Sequence, residues 1–109
     1  MPLTVINGPT IGAGQTLSDV VDCTGGQLVR ITVPAEWSQA MLTFQLSSDG
    51  VGYNDLYDSQ GNLVAINVVA GSAVLVPELL GNAAAFLKFR SSAPQAEQRT
   101  FAVAIKTLA

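Results

Sequence analysis

The chain has 109 residues and a net charge of −3, a length that suits a single domain with one hydrophobic core. Hydrophobic residues make up 49% of the chain and charged residues only 12%, which is about half the usual share of roughly 25%. An acidic chain with five scattered Lys and Arg residues is a poor candidate for binding nucleic acid.

Alternation of apolar and polar residues marks most of the first half of the chain, which is the period of a half-buried β-strand. About the first 15 residues are predicted to be a lead-in that is Gly-rich at Gly8–Gly14, with a flexible entry loop at Ile11–Gly14. The corner Ala35–Gln39 follows Pro34, which ends the strand before it. The strands predicted in this half are Thr16–Asp22, Leu28–Val33 and Ala40–Ser47.

Turn signals divide the second half of the chain. Ser48-Asp49-Gly50 and Ser59-Gln60-Gly61-Asn62 are predicted to be turns, because Gly accepts positive φ and Asp caps such turns. Pro77–Asn82 is predicted to be a loop with one helical turn, and Ser92–Gln98 a polar loop. The predicted strands are Tyr53–Asp58, Leu63–Val69, Ala73–Val76, Ala84–Ser91 and Arg99–Leu108.

About eight closely spaced strands without a long helix predict an all-β fold. The expected architecture is a single antiparallel β-sandwich, either jelly-roll-like or immunoglobulin-like. Neither an internal repeat nor a linker divides the chain, so residues 1–109 are predicted to form one domain.

The residue types argue against an enzyme. The chain contains no His, which excludes Ser-His-Asp and Cys-His arrangements and makes a zinc site improbable. A glycosidase would need two carboxylates facing a cleft, which is not expected in one small sandwich. Cys23 is the only cysteine, so it cannot form an intrachain disulfide, and we expect it to fill a small core or edge site.

Two loop sequences resemble ligand-binding motifs without matching them. Asp49, Asn54 and Asp55 could offer oxygen ligands to Ca²⁺, but their spacing is not that of an EF-hand loop and turn chemistry explains them. Ile11-Gly12-Ala13-Gly14 lacks the GK[ST] ending of a phosphate loop. We therefore predict no metal and no cofactor.

Four residues form the candidate ligand or interface surface: Trp37, Tyr53, Asp55 and Tyr57. Aromatic rings beside carboxylates and amides are typical of glycan-binding β-modules, so these residues could form a sugar platform. Alternatively, Trp37 plugs the corner while Tyr53 and Tyr57 pack along one strand face, and we favour this structural interpretation.

The surplus of apolar over charged residues also has two explanations. The apolar residues could lie on the surface of an Ala- and Val-rich domain, or they could be buried against other copies of the chain. We expect the second, a homo-oligomer for which a trimer is plausible. The middle of the chain is acidic and its C-terminal part is basic. This difference could align subunits by pairing an acidic face with a basic face, or the exposed strand faces could simply differ in the sign of their charge.

The start of the chain has no basic region followed by an apolar core, and no apolar run approaches the ~18 residues that span a bilayer. We therefore expect synthesis and assembly in a cytoplasm, with no membrane partner.

One sequence pattern, over residues 34–58, is specific enough to compare with a known family. The outline P-x-x-W, A-x-L-T-F-Q-x-S-x-D-G, a few residues, D-L-Y-D is found in Pro34-Ala35-Glu36-Trp37, Ala40–Gly50 and Tyr53–Asp58. The pattern resembles that of small virion proteins encoded near head and tail genes of tailed phages and prophages. The resemblance is strongest over residues 28–63, with looser similarity at Ser18-Asp19 and Leu87–Ser91.

This resemblance implies a structural protein of a phage particle, made in the bacterial host cytoplasm. Its expected role is a capsid decoration (cement) protein, or a component of a head fibre or tail. Its implied partners are copies of itself and the major capsid or tail protein. The resemblance carries no catalytic residues.

Overall fold

The computed structural model describes residues 3–107, apart from the side chains of residues 79 and 82. Nine strands and one short helix follow one another within this range. Their bounds are β1 Leu3–Ile11, β2 Leu17–Asp22, β3 Gly26–Thr32, β4 Met41–Ser47, β5 Asn54–Asp55, β6 Ala65–Asn67, β7 Ala73–Leu75, α1 Glu78–Ala83, β8 Phe86–Ser91 and β9 Arg99–Thr107.

All strand pairs described are antiparallel, and the strands follow the order β5-β4-β8-β2-β1-β9-β3-β7, with β6 also paired to β4. We call β5, β6, β4, β8 and β2 the β4 half of the sheet, and β1, β9, β3 and β7 the β9 half. A pairing of Ile11 with Ser18 joins the two halves. The predicted all-β antiparallel fold is confirmed, but the strands form one curled sheet resembling a half-barrel.

The core lies inside the curl, where the alternating apolar residues of both halves meet. Phe44 on β4 packs edge-to-face against Phe89 on β8, with 5.6 Å between ring centroids. Phe89 also packs against Phe101 on β9 at 5.1 Å. Because β8 and β9 are not neighbours in the sheet, this second contact holds the curl closed.

The N-terminal segment corrects the predicted Gly-rich lead-in, because most of it is strand β1. This strand pairs with β9 from Leu3 opposite Lys106 to Ile11 opposite Arg99. The register shifts between Asn7 and Thr10, and Gly8 has a φ of 146° that favours glycine. That irregularity interrupts the period-two pattern, which is why the sequence suggested a loop.

The hairpin predicted from Tyr53–Asp58 and Leu63–Val69 is present only in shorter form. One edge of β4 pairs first with Asn54–Asp55 and then with Ala65–Asn67. The chain between these two short strands leaves the sheet as a loop, and a β-bridge between Tyr57 and Leu63 joins the two sides of that loop. The Asp58 carboxylate accepts hydrogen bonds from the N–H groups of residues 60 and 62 at 2.9 Å, which forms the predicted turn.

The C-terminal part of the sheet follows the predictions closely. Strand β8 begins two residues later than predicted, and β9 covers Arg99–Thr107, while Leu108 lies outside the described residues. The single predicted helical turn is the six-residue helix α1. A Cβ on Gly81 would collide with the Leu28 carbonyl, so glycine permits α1 to lie directly on β3.

Gln95 is a buried polar residue that joins three connecting segments at one end of the curled sheet. Its side-chain oxygen accepts from the Ser38 N–H at 2.9 Å and from Arg99 Nε at 3.1 Å. Its amide nitrogen donates to the Ser38 carbonyl at 3.1 Å and to Ser91 Oγ at 3.2 Å. Its backbone carbonyl accepts from the Gly14 N–H, and its backbone N–H donates to the Gln15 carbonyl. Gln95 is only 1% exposed, and each of its polar groups has a hydrogen-bond partner.

We predict that Gln95→Ala lowers the free energy of unfolding by about 2–4 kcal/mol, because it leaves buried polar partners unsatisfied. Urea unfolding followed by circular dichroism measures the change. Gln98→Ala, at an exposed position of the same loop, is the control and should change stability by less than about 0.5 kcal/mol. Equal effects of the two substitutions would contradict this role of Gln95.

Candidate functional site

Trp37 lies in the core, so its ring is not part of an exposed platform. The residue is 5% exposed and packs edge-to-face on Phe101, with 5.3 Å between ring centroids. Its indole Nε1 donates to the Ala40 carbonyl at 3.4 Å, across the corner between β3 and β4. These contacts agree with the structural interpretation of Trp37 and separate it from the other candidate surface residues.

Tyr53 and Asp55 lie on the outer face of the β4 half, beside two cations of β8. The Lys88 ammonium lies 4.4 Å from the centroid of the Tyr53 ring, a cation–π distance. The Asp55 carboxylate accepts from Arg90 Nη1 at 3.3 Å and from Gln45 Nε2 at 3.1 Å. Both side chains of the Arg90–Asp55 pair are more than a third exposed, so the pair contributes little to stability.

Tyr57 is the most accessible of the four predicted residues. Its side chain is 55% exposed at the base of the loop between β5 and β6. Tyr53, in contrast, already has Lys88 against its ring. The exposed part of the predicted surface is therefore Tyr57, Asp55 and the neighbouring Asn54.

Two adjoining clefts open beside α1, one against β4 and β5 and the other against Leu56 and Val64, and both are lined by Leu56 and Ala83. One cleft, of about 240 Å³, is lined partly by polar residues that include Asn54 and Asp55. The other, of about 290 Å³, is almost entirely apolar. Asp55 is the only acid among their described lining residues, so neither cleft presents a pair of carboxylates for acid–base chemistry.

Asp49 acts as a turn cap at the end of β4. Its Oδ1 accepts from the N–H groups of Val51 at 2.9 Å and Gly52 at 3.1 Å, and from Ser47 Oγ at 3.0 Å. These hydrogen bonds, those of Val51 and Gly52 first, lower the pKa of the carboxyl below its ordinary value of 3.8. Within residues 3–107 no group of three or more His, Cys, Asp or Glu residues is placed to hold a metal ion.

Cys23 lies in the core and is 1% exposed. Burial, with a smaller contribution from the negative charge of Asp22, raises the pKa of its thiol to about 11. A thiol with so little thiolate at neutral pH is a poor nucleophile. This placement agrees with the structural role expected from the sequence.

A second surface, which we call the outer β9 face, lies on the outside of the β9 half. In its central row Val5, Ala104, Arg30 and Leu75 lie opposite one another across four strands. Leu3 and Val5 are 53% and 57% exposed, and Leu75 is 84% exposed. Ala102 and Ala73 share the next row with Asn7 and Thr32, and Lys106 lies opposite Leu3, so three exposed aliphatic side chains stand among polar and charged ones on this face.

The sequence did not reveal this surface as a surface. Leu3 and Val5 alternate with Thr4 and Ile6, as in a strand, but they fell within the predicted lead-in. Alternation also cannot show which strands are neighbours, and the face exists only because β1, β9, β3 and β7 are adjacent.

Comparisons of the chain with protein-family models, with curated proteins and with solved structures found no match. None of the helices in residues 3–107 is long and apolar enough to cross a membrane.

We predict that Asp49→Asn lowers the free energy of unfolding at pH 7, and that the difference in this free energy between the variant and the parent protein becomes smaller in acid. Because the folded-state pKa is lowered, the carboxylate stabilises the fold above pH 3.8, and this contribution is lost as the pH falls through the folded-state pKa. Urea midpoints measured from pH 7 to pH 2 test the prediction. Glu36→Gln, an exposed acid on the corner, is the control, and a deficit for Asp49→Asn that is independent of pH would refute the account.

We predict that Cys23 does not react with an aromatic disulfide reagent at pH 8 until the protein unfolds, because its thiol is buried and its pKa is raised to about 11. The rate of thiol release, measured with and without urea, checks this. A Cys23→Ala/Ser59→Cys variant places a thiol on an exposed turn and should react at once. Equal rates of thiol release from the folded parent and the folded variant, both without urea, would show that Cys23 is accessible.

Proposed function

We propose that the protein is a structural component of a tailed-phage particle that acts by self-association and by docking on the particle. The proposed role is capsid decoration, or a part of a head fibre or tail, with the major capsid or tail protein as partner. Two features support it: the resemblance of residues 28–63 to phage virion proteins, and the outer β9 face. Under this proposal the protein is made in the bacterial cytoplasm, is not an enzyme, and binds neither nucleic acid nor membrane.

The outer β9 face is the observation that carries the self-association. Each exposed aliphatic side chain contributes about 1.5–3 kcal/mol when it is fully buried, and Leu3, Val5 and Leu75 are exposed on the same outer face. Part of that gain is offset by the entropy lost on association, so one such contact is weak. Repetition of weak contacts at symmetric positions on a particle gives avidity, which suits a decoration protein.

The proposal also concerns how the two halves of the curled sheet are related to a β-sandwich. The inner faces of the β4 half and the β9 half enclose one core, while their outer faces are free. We infer that the curled sheet is an opened form of the predicted jelly-roll-like or immunoglobulin-like sandwich. Such a protomer can pack through an outer sheet face without disturbing its core.

We predict that Leu75→Asp weakens self-association, because it replaces the most exposed aliphatic side chain of the outer β9 face with a carboxylate. The dissociation constant should rise by at least about tenfold, which corresponds to ~1.4 kcal/mol. Val51→Asp is the matched control, because Val51 is also 84% exposed but lies in the loop after β4. Sedimentation velocity over a range of concentrations measures both variants.

Two outcomes would overturn the proposal. One is a parent protein that is strictly monomeric at all concentrations. The other is the absence of the protein, by mass spectrometry, from phage particles purified from the organism that encodes it. Equal weakening by Leu75→Asp and Val51→Asp would show that association does not use the outer β9 face.

A second candidate function is carbohydrate recognition, favoured by the exposed Tyr57 ring, which follows Leu56 in the chain, and by Asn54 and Asp55, which with Leu56 line the cleft of about 240 Å³. Sugars stack on aromatic faces and hydrogen-bond to carboxylates and amides. If this function holds, we expect glycan-array signals that disappear with Tyr57→Ala and persist with Val69→Ala, at a position 65% exposed. A silent array with the parent protein would remove this candidate.

A further inference from the structure

Arg99 is a buried cation whose orientation is fixed by neutral partners. It is the first residue of β9 and is only 8% exposed. Its Nε donates to the Gln95 side-chain oxygen at 3.1 Å, and its Nη2 donates to Ser38 Oγ at 3.4 Å. Because Gln95 is itself held by three further side-chain hydrogen bonds, the guanidinium plane has a fixed position.

One edge of this guanidinium has no protein partner in the described part of the chain. A guanidinium carries five N–H donors in a rigid fork. The edge formed by Nε and Nη2 is occupied, whereas Nη1 makes no described hydrogen bond. Since no fully buried side-chain nitrogen among the described residues lacks a partner, Nη1 is not completely enclosed, although Arg99 as a whole is only 8% exposed. The Nη1–Nη2 edge is therefore free to bind an acceptor from outside.

The charge of Arg99 is also uncompensated. The salt bridge described within residues 3–107 joins Arg90 to Asp55, and no described carboxylate lies within 4.0 Å of Arg99. Taking a cation out of water without a counter-charge is unfavourable. The bonds to Gln95 and Ser38 would satisfy a neutral donor equally well, so they do not explain a charged residue here.

We propose that Arg99 binds a small free oxyanion, a phosphate or a carboxylate, through its Nη1–Nη2 edge. Two parallel N–H···O bonds from one guanidinium match the spacing of two oxygens on such an ion. Ser38 is exposed beside Arg99, and its hydroxyl hydrogen is available to a third oxygen while its Oγ accepts from Nη2. This binding site is separate from the outer β9 face and does not depend on the proposed assembly.

Thermal unfolding in sodium phosphate, sodium acetate and sodium chloride, at one pH and one ionic strength, tests the site. For the parent protein we expect Tm to rise with the logarithm of the concentration of phosphate, acetate or both, relative to chloride. A rise with phosphate alone identifies a tetrahedral oxyanion, and a rise with acetate identifies a carboxylate. Equal Tm values in the three salts would overturn the proposal.

Two variants separate specific binding from the general stabilising effect of phosphate on proteins. Arg99→Gln should lose the anion-dependent rise in Tm, while Lys106→Gln, at an exposed cation on the same strand, should keep it. If Arg99→Gln does not fold, Arg99→Lys keeps the charge without the bidentate edge, and calorimetric titration with phosphate or acetate should show at least tenfold weaker binding. A response in these Arg99 variants equal to that of the parent would overturn the site.

Discussion

The hydrogen bonds of Gln95 are the constraint on which the arrangement at one end of the sheet depends. They tie the loop around Gly14, the corner that carries Trp37 and Ser38, and the end of β8 into one unit. With the corner held, the Trp37 ring can pack on Phe101 inside the curl. The same oxygen that holds Ser38 also holds Arg99, so the fold and the proposed oxyanion site share one buried amide.

Much of the fold could be predicted because several strands obey the period of two without interruption. Every second side chain is buried over residues 40–44 and 99–103, and the structure has strands at both places. The pattern failed at β1, where the irregularity around Gly8 breaks the alternation. It also could not reveal Gln95, because a buried Gln in a Ser/Pro/Gln loop has the same local sequence as an exposed one.

The candidate site was predictable only in part, for a related reason. Residue type identified Trp37, Tyr53 and Tyr57 as aromatic, but burial depends on what packs above each ring, and Trp37 is covered while Tyr57 is not. Lys88 reaches Tyr53 because β8 lies beside β4, a pairing between segments far apart in the sequence. The outer β9 face likewise combines both ends of the chain with its middle, so local patterns do not contain it.

The central claim is that copies of the chain associate through the outer β9 face. Hydroxyl-radical labelling, read by mass spectrometry at low and high protein concentration, tests it side chain by side chain. The account predicts that labelling of Leu3, Val5 and Leu75 falls as concentration rises, while Val51 and Val69 are labelled equally at both. Labelling of Leu75 that is independent of concentration in an associated sample would contradict the claim.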